Sequence, residues 1–427
     1  MNIINNPQKD TWRELTRRPQ LELEFLESSV GNILNRVKLS GDDALREFAW
    51  QFDHAKIESI RVLDHEIAIA ANQLDGSIKT AIGLAASNIR AFHEIQKREA
   101  ICLETMPGVV CWRKSIAIQK VGIYIPGGTA PLFSTVLMLA IPAVLAGCNE
   151  IILCSPPGND GAIPPAILYA ASLSGIKNIF KAGGAQAIAA MAYGTGSIPA
   201  VYKIFGPGNQ YVTQAKQMVS RDGVAIDMPA GPSELMVIAD DSAIASYVAA
   251  DLLSQAEHGP DSQVVLLALN ESKIHEVKDE IERQLPQLPR KEIALQALQN
   301  SLAIYFNKEE NAIQFANEYA PEHLIINTGN CDAMADKIVN AGSVFLGNFS
   351  PEAVGDYASW TNHTLPTNGF AKAYSGVSLE SFTKTITYQK LTETGLKNLG
   401  PSVEILAGAE QLEGHKRAVA LRLQNQK

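Results

Sequence analysis

The spacing of apolar and polar positions divides the chain into a charged helical stretch followed by two series of short apolar segments. From residue 23 to about residue 98, apolar residues recur at helical intervals among many charges. Such a period is typical of amphipathic helices, so the pattern predicts a mainly α-helical region. The pattern is interrupted at Gly41, where Ser40 or Gly41 could cap a new helix.

Beyond Ser115 the pattern changes to short β-branched runs separated by helical segments. Continuous apolar strands that alternate with helices are typical of a parallel sheet covered on both faces. Each run ends in a Gly/Pro turn, and the carboxyl ends of parallel strands are where such folds bind ligands. The runs of this first series are residues 121–125, 150–154, 178–180 and 201–205.

A second series of strands with intervening helices follows, so the sequence predicts two parallel α/β sheets rather than one. No repeat in the sequence is strong enough to indicate duplication, although the two halves could share an architecture. The fold class is therefore α/β, with two larger domains. The runs of the second series are residues 234–239, 263–269, 302–306, 323–326 and 343–346.

The last fifty residues, from about Val377, lack a strand pattern and end in a predicted amphipathic helix over residues 402–424. This tail could close its own domain or pack on a partner subunit. The most apolar stretch, residues 134–148, contains Pro142 and is shorter than the roughly 18 residues that a membrane span requires. It predicts a buried helix and no membrane association.

Composition narrows the kind of ligand. The 427 residues include 46% hydrophobic and 19% charged residues, which is ordinary for a folded enzyme. The net charge of −9 and the absence of a basic cluster argue against a nucleic-acid partner and favour a small molecule. No secretory pattern follows Met1, and the five cysteines form no C-x-x-C pair, so we expect a cytoplasmic protein with reduced thiols.

Two polar pairs stand out as candidate chemistry. Gln255 and His258 lie three residues apart in a predicted helix that ends at Gly259, which places both on one helical face. Histidine is a common metal ligand and glutamine a rare one for zinc, so taken alone this pair is better explained as an ordinary helix-end histidine than as a metal site. Glu322 and His323 meet at the start of a predicted strand, where they could serve as an acid/base pair or form a solvated strand end.

Other positions carry weaker signals. Asp356 and His415 could complete a metal site, but neither has diagnostic spacing. None of the Gly-rich turns completes G-x-G-x-x-G, so they support only a ligand site in an α/β fold. Cys154 ends a predicted strand and is a candidate thiol nucleophile, although a free cysteine is more often packed in a core.

Six motifs in order resemble the histidinol dehydrogenase family, and the likeness extends from near the N-terminus to Lys416. The chain departs from the family pattern at Trp360, directly after the last of these motifs, where we expect a small residue in this family. Six long motifs in register are far more specific than any one of them. The motifs are residues 122–128, 205–209, 227–234, 254–263, 320–324 and 355–359.

The resemblance implies oxidation of L-histidinol to L-histidine through L-histidinaldehyde, which uses two NAD for each L-histidinol. It also implies one zinc ion per subunit and a homodimer whose subunits share their active sites. Glu322 and His323 resemble the catalytic pair of the family. Ser233 and Glu410 resemble further substrate contacts, together with the zinc ligands and the catalytic pair. The implied zinc ligands are Gln255, His258, Asp356 and, from the other subunit, His415; the implied NAD contacts are Tyr124, Gln186 and Asn209.

The family fold implies two incomplete Rossmann-like domains with small N- and C-terminal extensions. On this chain the expected division is an extension over residues 1–22, a catalytic domain from residues 23–120 and 233–376, an inserted NAD-contacting domain over 121–232, and a helical tail over 377–427 that crosses to the partner.

Three alternatives remain open at this point. They are a related zinc- and NAD-dependent amino-alcohol dehydrogenase, a thiol-dependent aldehyde dehydrogenase that uses Cys154, and a binding protein for a small amine without catalytic activity.

Overall fold

The computed structural model describes residues 1–18, 23–97, 99–127, 131–229, 231–359 and 361–424. Trp360, the departure from the family pattern, lies outside these residues. The chain divides into two compact units, one built from residues 1–96 and 118–382 and the other from residues 97–117 and 383–427.

The strands of the described residues are, in chain order, β1 (Asn2–Asn5), β2 (Ile101–Met106), β3 (Val109–Ala117), β4 (Lys120–Tyr124), β5 (Glu150–Ser155), β6 (Asn178–Lys181), β7 (Lys203–Phe205), β8 (Ala225–Ile226), β9 (Glu234–Ala239), β10 (Gln263–Ala268), β11 (Leu302–Tyr305), β12 (His323–Asn327), β13 (Ser343–Leu346) and β14 (Thr383–Leu391).

The α-helices are α1 (Trp12–Leu15), α2 (Leu23–Asp53), α3 (Asp64–Gln73), α4 (Gly76–Glu94), α5 (Phe133–Ala146), α6 (Pro165–Leu173), α7 (Gly184–Tyr193), α8 (Gln210–Arg221), α9 (Ala245–Ala256), α10 (Glu271–Gln284), α11 (Lys291–Gln299), α12 (Glu309–Tyr319), α13 (Cys331–Ala335), α14 (Glu352–Tyr357), α15 (Glu393–Ala409) and α16 (Glu413–Gln424).

The first unit contains the two parallel sheets that the apolar runs predict, and every predicted strand is present. The smaller sheet has the order β6-β5-β4-β7-β8, and all its pairs are parallel. The larger sheet has the order β1-β11-β10-β9-β12-β13, also with parallel pairs. All six residues of β9 and of β10 are buried, as the central strands of a sheet covered on both faces should be.

Both sheets repeat the same arrangement. If β4 is counted as the first strand of the smaller sheet and β9 as that of the larger one, each has the order 3-2-1-4-5, and β1 is an additional edge strand of the larger sheet. This order is the Rossmann order without its sixth strand. The expected pair of incomplete Rossmann-like sheets is therefore confirmed, as is the idea that the two halves share an architecture. In each sheet the order reverses between two neighbouring strands, β4 and β7 in one and β9 and β12 in the other.

The helical region over residues 23–94 is confirmed, but its assignment to the larger sheet was wrong. Leu26, Val30 and Leu34 of α2 pack in one core with Tyr124 and with helices α7 and α8 of the smaller sheet. Helix α4 packs on α5, which also covers the smaller sheet. The apolar stripes of these helices predict burial without specifying the sheet that covers them. The interruption at Gly41 is a kink within α2, with φ of 51°.

Both ends of the predicted domain scheme also need correction. Residues 2–5 are not a separate extension, because β1 adds to the larger sheet beside β11. Residues 377–382 belong to the first unit, where Val377 and Phe382 are buried in the core of the smaller sheet.

The second unit contains a strand that the sequence pattern missed. Strand β14 pairs antiparallel with β3, which pairs with β2. Most residues of β14 are exposed or half-buried, so it lacks the apolar alternation that identifies a strand. The predicted single helix over residues 402–424 is two helices, α15 and α16, separated at Gln411, whose φ is 58°.

No helix among the described residues is long and apolar enough to cross a membrane. The predicted buried helix is α5, in which the residues from Ser134 to Ala143 are all buried around Pro142.

Candidate active site

A cavity of about 1490 Å³ in the first unit collects most of the candidate residues. Part of its wall is formed by the Gly/Pro turns that follow β4, β5 and β7, together with the start of α7, which confirms the expected location of ligand-facing turns. The predicted residues that line it are Tyr124, Gln186, Asn209, Ser233, Gln255, His258, Glu322, His323 and Asp356.

The larger sheet presents its opposite end to this cavity. Ser233 immediately precedes β9, Glu322 immediately precedes β12, and His323 is the first residue of β12. The cavity therefore meets the carboxyl ends of the strands of the smaller sheet, where the sequence predicts a ligand, and the amino ends of those of the larger sheet. The candidate acid/base pair lies at the amino ends of the two central strands where the strand order reverses.

Glu322 and His323 are buried, so the interpretation as a solvated strand end was wrong. Their exposed fractions are 6% and 3%. The Glu322 Oε2 accepts a hydrogen bond from the backbone N–H of Glu234 at 2.8 Å, and the Nδ1 of His323 lies 3.4 Å from the carbonyl oxygen of Glu234. Glu322 Oε2 is also 3.7 Å from His323 Nδ1. The two side chains are therefore held against the backbone of one residue, Glu234, at the start of β9.

Two carboxylates of helix α14 complete the surroundings of this imidazole. Glu352 Oε1 lies 3.5 Å from His323 Nδ1, and Asp356 Oδ1 lies 3.5 Å from His323 Nε2. Their four-residue spacing places both on one face of the helix. One ligand atom each of His323, Glu352 and Asp356 lies within 4.8 Å of the others, which is a compact enough arrangement for a metal ion.

Burial and mutual charge shift the pKa values of this cluster. Desolvation raises the pKa of Glu322 to about 8, although His323 and the Glu234 N–H oppose the shift. Desolvation alone would lower the pKa of His323, but Glu352, Glu322 and Asp356 raise it to about 10. Burial likewise raises the pKa of Glu352, whereas His323 lowers that of Asp356 against the effect of burial. Clustered shifts of this kind are typical of functional sites.

Gln255 and His258 enter the same cavity from the end of α9. Gln255 is buried; in the amide orientation that gives both of its polar atoms a partner, its nitrogen donates to Glu352 Oε1 at 2.5 Å and its oxygen accepts from the Glu234 N–H at 3.2 Å. The helix ends at Ala256, so His258 follows it rather than sharing its face as predicted. The His258 side chain keeps exposed surface, while protein atoms around the cavity lower its pKa by desolvation. A neutral imidazole is the form that binds metals.

The predicted NAD contacts lie around the smaller sheet. Tyr124, the last residue of β4, is buried, and its hydroxyl oxygen accepts a hydrogen bond from the Gly184 N–H at 3.0 Å. Gln186 is in the first turn of α7, and Asn209 caps α8 by accepting from the Val212 N–H at 3.1 Å. Helix N-termini beside a ligand cavity supply amide donors suited to phosphate.

Comparison with known proteins gives the same family as the motifs. The model of the family described as histidinol dehydrogenase matches residues 16–423. A histidinol dehydrogenase of Bacteroides fragilis is 57% identical over 99% of each chain, and one of Pectobacterium atrosepticum is 52% identical over 96% of this chain and 93% of that one. A crystal structure of histidinol dehydrogenase from Elizabethkingia anophelis superposes with a TM-score of 0.97 at 55% identity, covering 100% of this chain and 98% of that one.

The chain belongs to the histidinol dehydrogenase family. It is therefore an NAD-dependent oxidoreductase, with the α/β fold predicted from its strand pattern.

Two predicted site residues lie in the second unit. Glu410 follows α15 and His415 is in the first turn of α16, and both side chains are exposed. Their participation in the site of this histidinol dehydrogenase family member stays a prediction.

The sequence analysis missed three ionisable residues that the structure places at or beside the cavity. His363 lines it, with Nδ1 2.9 Å from the Asp356 carbonyl oxygen and Nε2 3.0 Å from Thr135 Oγ1. Asp53, the last residue of α2, also lines it, and burial raises its pKa to about 6. Glu352 is the third. The helix dipole disfavours a carboxylate at a helix C-terminus, so the position of Asp53 at the end of a predicted helix could have marked it as a candidate site residue.

The thiol alternative fails on burial. Cys154 is completely buried in the core beneath the smaller sheet, and desolvation raises the pKa of its thiol well above the ordinary value. A thiolate is the nucleophilic form, so this cysteine cannot act as a nucleophile. An acetylating aldehyde dehydrogenase from Geobacillus thermoglucosidasius, 15% identical with a TM-score of 0.50 over 89% of this chain and 94% of that one, shares the fold alone.

We expect Cys154→Ala to keep the turnover number for NADH formation within about twofold of the unaltered protein, because the thiol takes no part in the reaction. The small cavity left behind should lower the free energy of unfolding by about 1–2 kcal/mol. Steady-state kinetics and chemical denaturation measure the two effects.

Alkylation provides the control. The exposed Cys102 should react with iodoacetamide in the folded protein, whereas Cys154 should react only after unfolding. Complete loss of activity in a folded Cys154→Ala protein would contradict this interpretation.

Proposed function

We propose that this chain oxidises L-histidinol to L-histidine through L-histidinaldehyde, the last step of histidine biosynthesis, in the cytoplasm. The observation that carries the proposal is one cavity whose wall combines the Glu322 and His323 cluster with Tyr124, Gln186 and Asn209. An alcohol and a dinucleotide could therefore occupy neighbouring positions. Each of the two oxidations would deliver one hydride to NAD, and the second would consume one water.

The residues present fit a zinc ion. Among the described residues, Glu352 Oε2, Asp356 Oδ1 and His323 Nε2 are buried polar atoms without a hydrogen-bond partner. Buried polar groups are normally paired, so the unpaired Asp356 oxygen supports the proposal of a cation beside it. Gln255, His258 and Asp356 would hold the ion, joined by His415 of the other subunit. When bound, zinc would orient the amine and imidazole of the substrate and polarise its oxygen.

His323 and Glu322 divide the proton transfers in this proposal. The His323 imidazole would accept the alcohol proton as the carbinol carbon loses hydride, which requires its neutral form. The carboxylates around it favour the charged form, so a cation held by Asp356 would be needed to offset them. The raised pKa of Glu322 suits a group that accepts a proton near neutral pH, so it would take a proton from the water that adds to the aldehyde. Both groups are fixed against the peptide of Glu234, which keeps their separation constant through the two oxidations.

The remaining contacts extend this assignment. Ser233 lies beside Glu234 in the cavity wall and would contact the substrate, together with Glu410. The buried carboxylate of Asp53 is available to a ribose hydroxyl of NAD, since its Oδ2 has no hydrogen-bond partner among the described residues. The protein would act as a homodimer with two shared sites, because His415 and Glu410 are exposed on the second unit.

The direct test is NADH formation with L-histidinol. We expect two NADH per L-histidinol, loss of activity with a chelator and recovery with added zinc, because in this proposal a bound zinc ion is needed to hold the substrate. Absorbance at the NADH band and quantified histidine measure this. Binding of L-histidinol without NADH would instead indicate a binding protein, and a faster reaction with another amino alcohol would overturn the substrate assignment.

Substitution separates the metal ligand from the base. We expect His258→Ala to lose bound zinc, whereas His323→Ala should retain it and lose turnover by a factor of about 100 to 10,000, the usual contribution of a general base. Metal analysis and steady-state kinetics on the same samples measure the two effects. Equal loss of zinc in both variants would contradict the division of roles.

Mixing tests the shared site. Chains carrying His415→Ala and chains carrying His258→Ala should each be inactive alone and should regain about a quarter to a half of the activity as mixed dimers, because one of the two sites is then intact. Mixed dimers can be isolated with two different affinity tags. Confirmed mixed dimers without activity would show that each site uses ligands from one chain.

A further inference from the structure

The backbone of Glu234 is the common support of the catalytic cluster. Its N–H donates to Glu322 Oε2 at 2.8 Å, and its carbonyl oxygen, in the next peptide group, lies 3.4 Å from His323 Nδ1. A displacement of this one residue would therefore disturb the supports of both the Glu322 carboxylate and the His323 ring.

The side chain of Glu234 is fixed by an arginine from the N-terminal segment. Arg18 Nε lies 2.9 Å from Glu234 Oε1, and Arg18 Nη2 lies 3.0 Å from Glu234 Oε2, so the ion pair is bidentate. The N–H of Asn368 also donates to Oε1 at 2.7 Å. The side chains of Arg18 and Glu234 are only 7% and 1% exposed. Both carboxylate oxygens are therefore occupied by fixed donors.

Arg18 is itself held on every side. Its Nη1 donates to the Thr16 carbonyl oxygen at 2.8 Å and its Nη2 to the Tyr319 carbonyl oxygen at 2.6 Å. Its guanidinium lies 3.5 Å from the centre of the Tyr319 ring. A lysine could not reproduce this planar set of contacts, because an ammonium offers neither the fork nor the stacking face.

Neither Arg18 nor Glu234 lines the cavity, so neither touches substrate or cofactor. A buried ion pair adds little net stability compared with apolar residues of the same volume, and such pairs are retained in some proteins to specify one conformation. In this protein the conformation specified is that of the peptide that binds Glu322 and His323.

We propose that the Arg18–Glu234 ion pair is a positioning pair, which fixes the backbone of Glu234 and through it the placement of Glu322 and His323. The N-terminal segment thereby takes part in catalysis without contacting the substrate. The inference rests on the proposed function, since it assumes that these two side chains act as the base pair of an oxidation. Misplacement of a catalytic group by about 1 Å can cost about 100-fold in rate, so the effect should be large.

The test is kinetic. In Arg18→Lys and Arg18→Met we expect the turnover number with L-histidinol to fall by about 10- to 100-fold, while the KM for NAD changes less than about twofold and zinc content is unchanged. Ethylguanidinium should restore part of the turnover of Arg18→Ala, and ethylammonium should not. A folded Arg18→Met protein with turnover within twofold of the unaltered chain would overturn the proposal.

Two controls distinguish positioning from general destabilisation. Lys181 forms a partly buried ion pair with Glu66 at 2.7 Å in the same unit, away from the cavity wall. Lys181→Met should lower the unfolding midpoint without lowering turnover. In a background that carries both Glu322→Gln and His323→Ala, Arg18→Met should reduce the residual turnover by less than about threefold, because both groups that it positions are already lost. Equal losses in both backgrounds, or equal loss in Lys181→Met, would overturn the proposal.

A measurement that does not depend on turnover distinguishes failure of this inference from failure of the proposed function. The ring resonances of His323, assigned in histidine-labelled protein by comparison with His323→Ala, should shift in Arg18→Met and stay in place in Lys181→Met. If the unaltered protein forms no NADH with L-histidinol, the proposed function fails while these shifts still test the pair. Unchanged His323 resonances in Arg18→Met would overturn the positioning role.

Discussion

Three carboxylates face one imidazole in a part of the first unit that water hardly reaches, and this concentration of charge governs the rest of the site. Glu322 and Glu352 approach His323 Nδ1, and Asp356 approaches its Nε2. If all four groups ionise, the cluster carries two uncompensated negative charges, which a desolvated environment strongly disfavours. The protein must therefore hold protons there or admit a cation. The raised pKa values of Glu322 and Glu352 favour bound protons, and the unpaired oxygens of Glu352 and Asp356 would suit a cation.

Such a cluster needs a rigid frame, because like charges would otherwise move apart. The larger sheet supplies it at the amino ends of β9 and β12, which are adjacent central strands in register, with His323 opposite Leu235. The backbone of the first residue of β9, Glu234, binds Glu322 through its N–H and faces the His323 ring with its carbonyl oxygen. Helix α14 adds Glu352 and Asp356 from one face. A strand start can hold side chains against its backbone, since the hydrogen-bonded ladder begins only there.

The sequence was informative where a local pattern is repeated and uninformative where charge and tertiary contact decide. Every parallel strand of the two sheets except β1 and β8 was predicted, because buried parallel strands form continuous apolar runs. Strand β14 was missed because its residues are mostly exposed. The burial of Glu322 and His323 could not be seen in a Pro-Glu-His segment, and Glu352 had no motif of its own. The positions that the family motifs indicated do line one cavity, apart from those in the second unit, and the roles of all of them remain predictions.

The two sheets have the same strand order and face the cavity with opposite ends, and this difference explains what each can contribute. The carboxyl ends of β4, β5 and β7 lead into glycine turns and helix starts, which offer backbone amides and room for a flat or phosphorylated ligand. The amino end of β12 follows a loop from α12 and that of β9 follows a loop from β8, and neither end leads into a helix start. The side chains there are supported instead by contacts from distant parts of the chain, such as the buried ion pair of Arg18 with Glu234. Rossmann-like topology alone therefore does not determine where the chemistry occurs; the site is determined by which ends of two such sheets share a cavity and by what fixes the unsupported end.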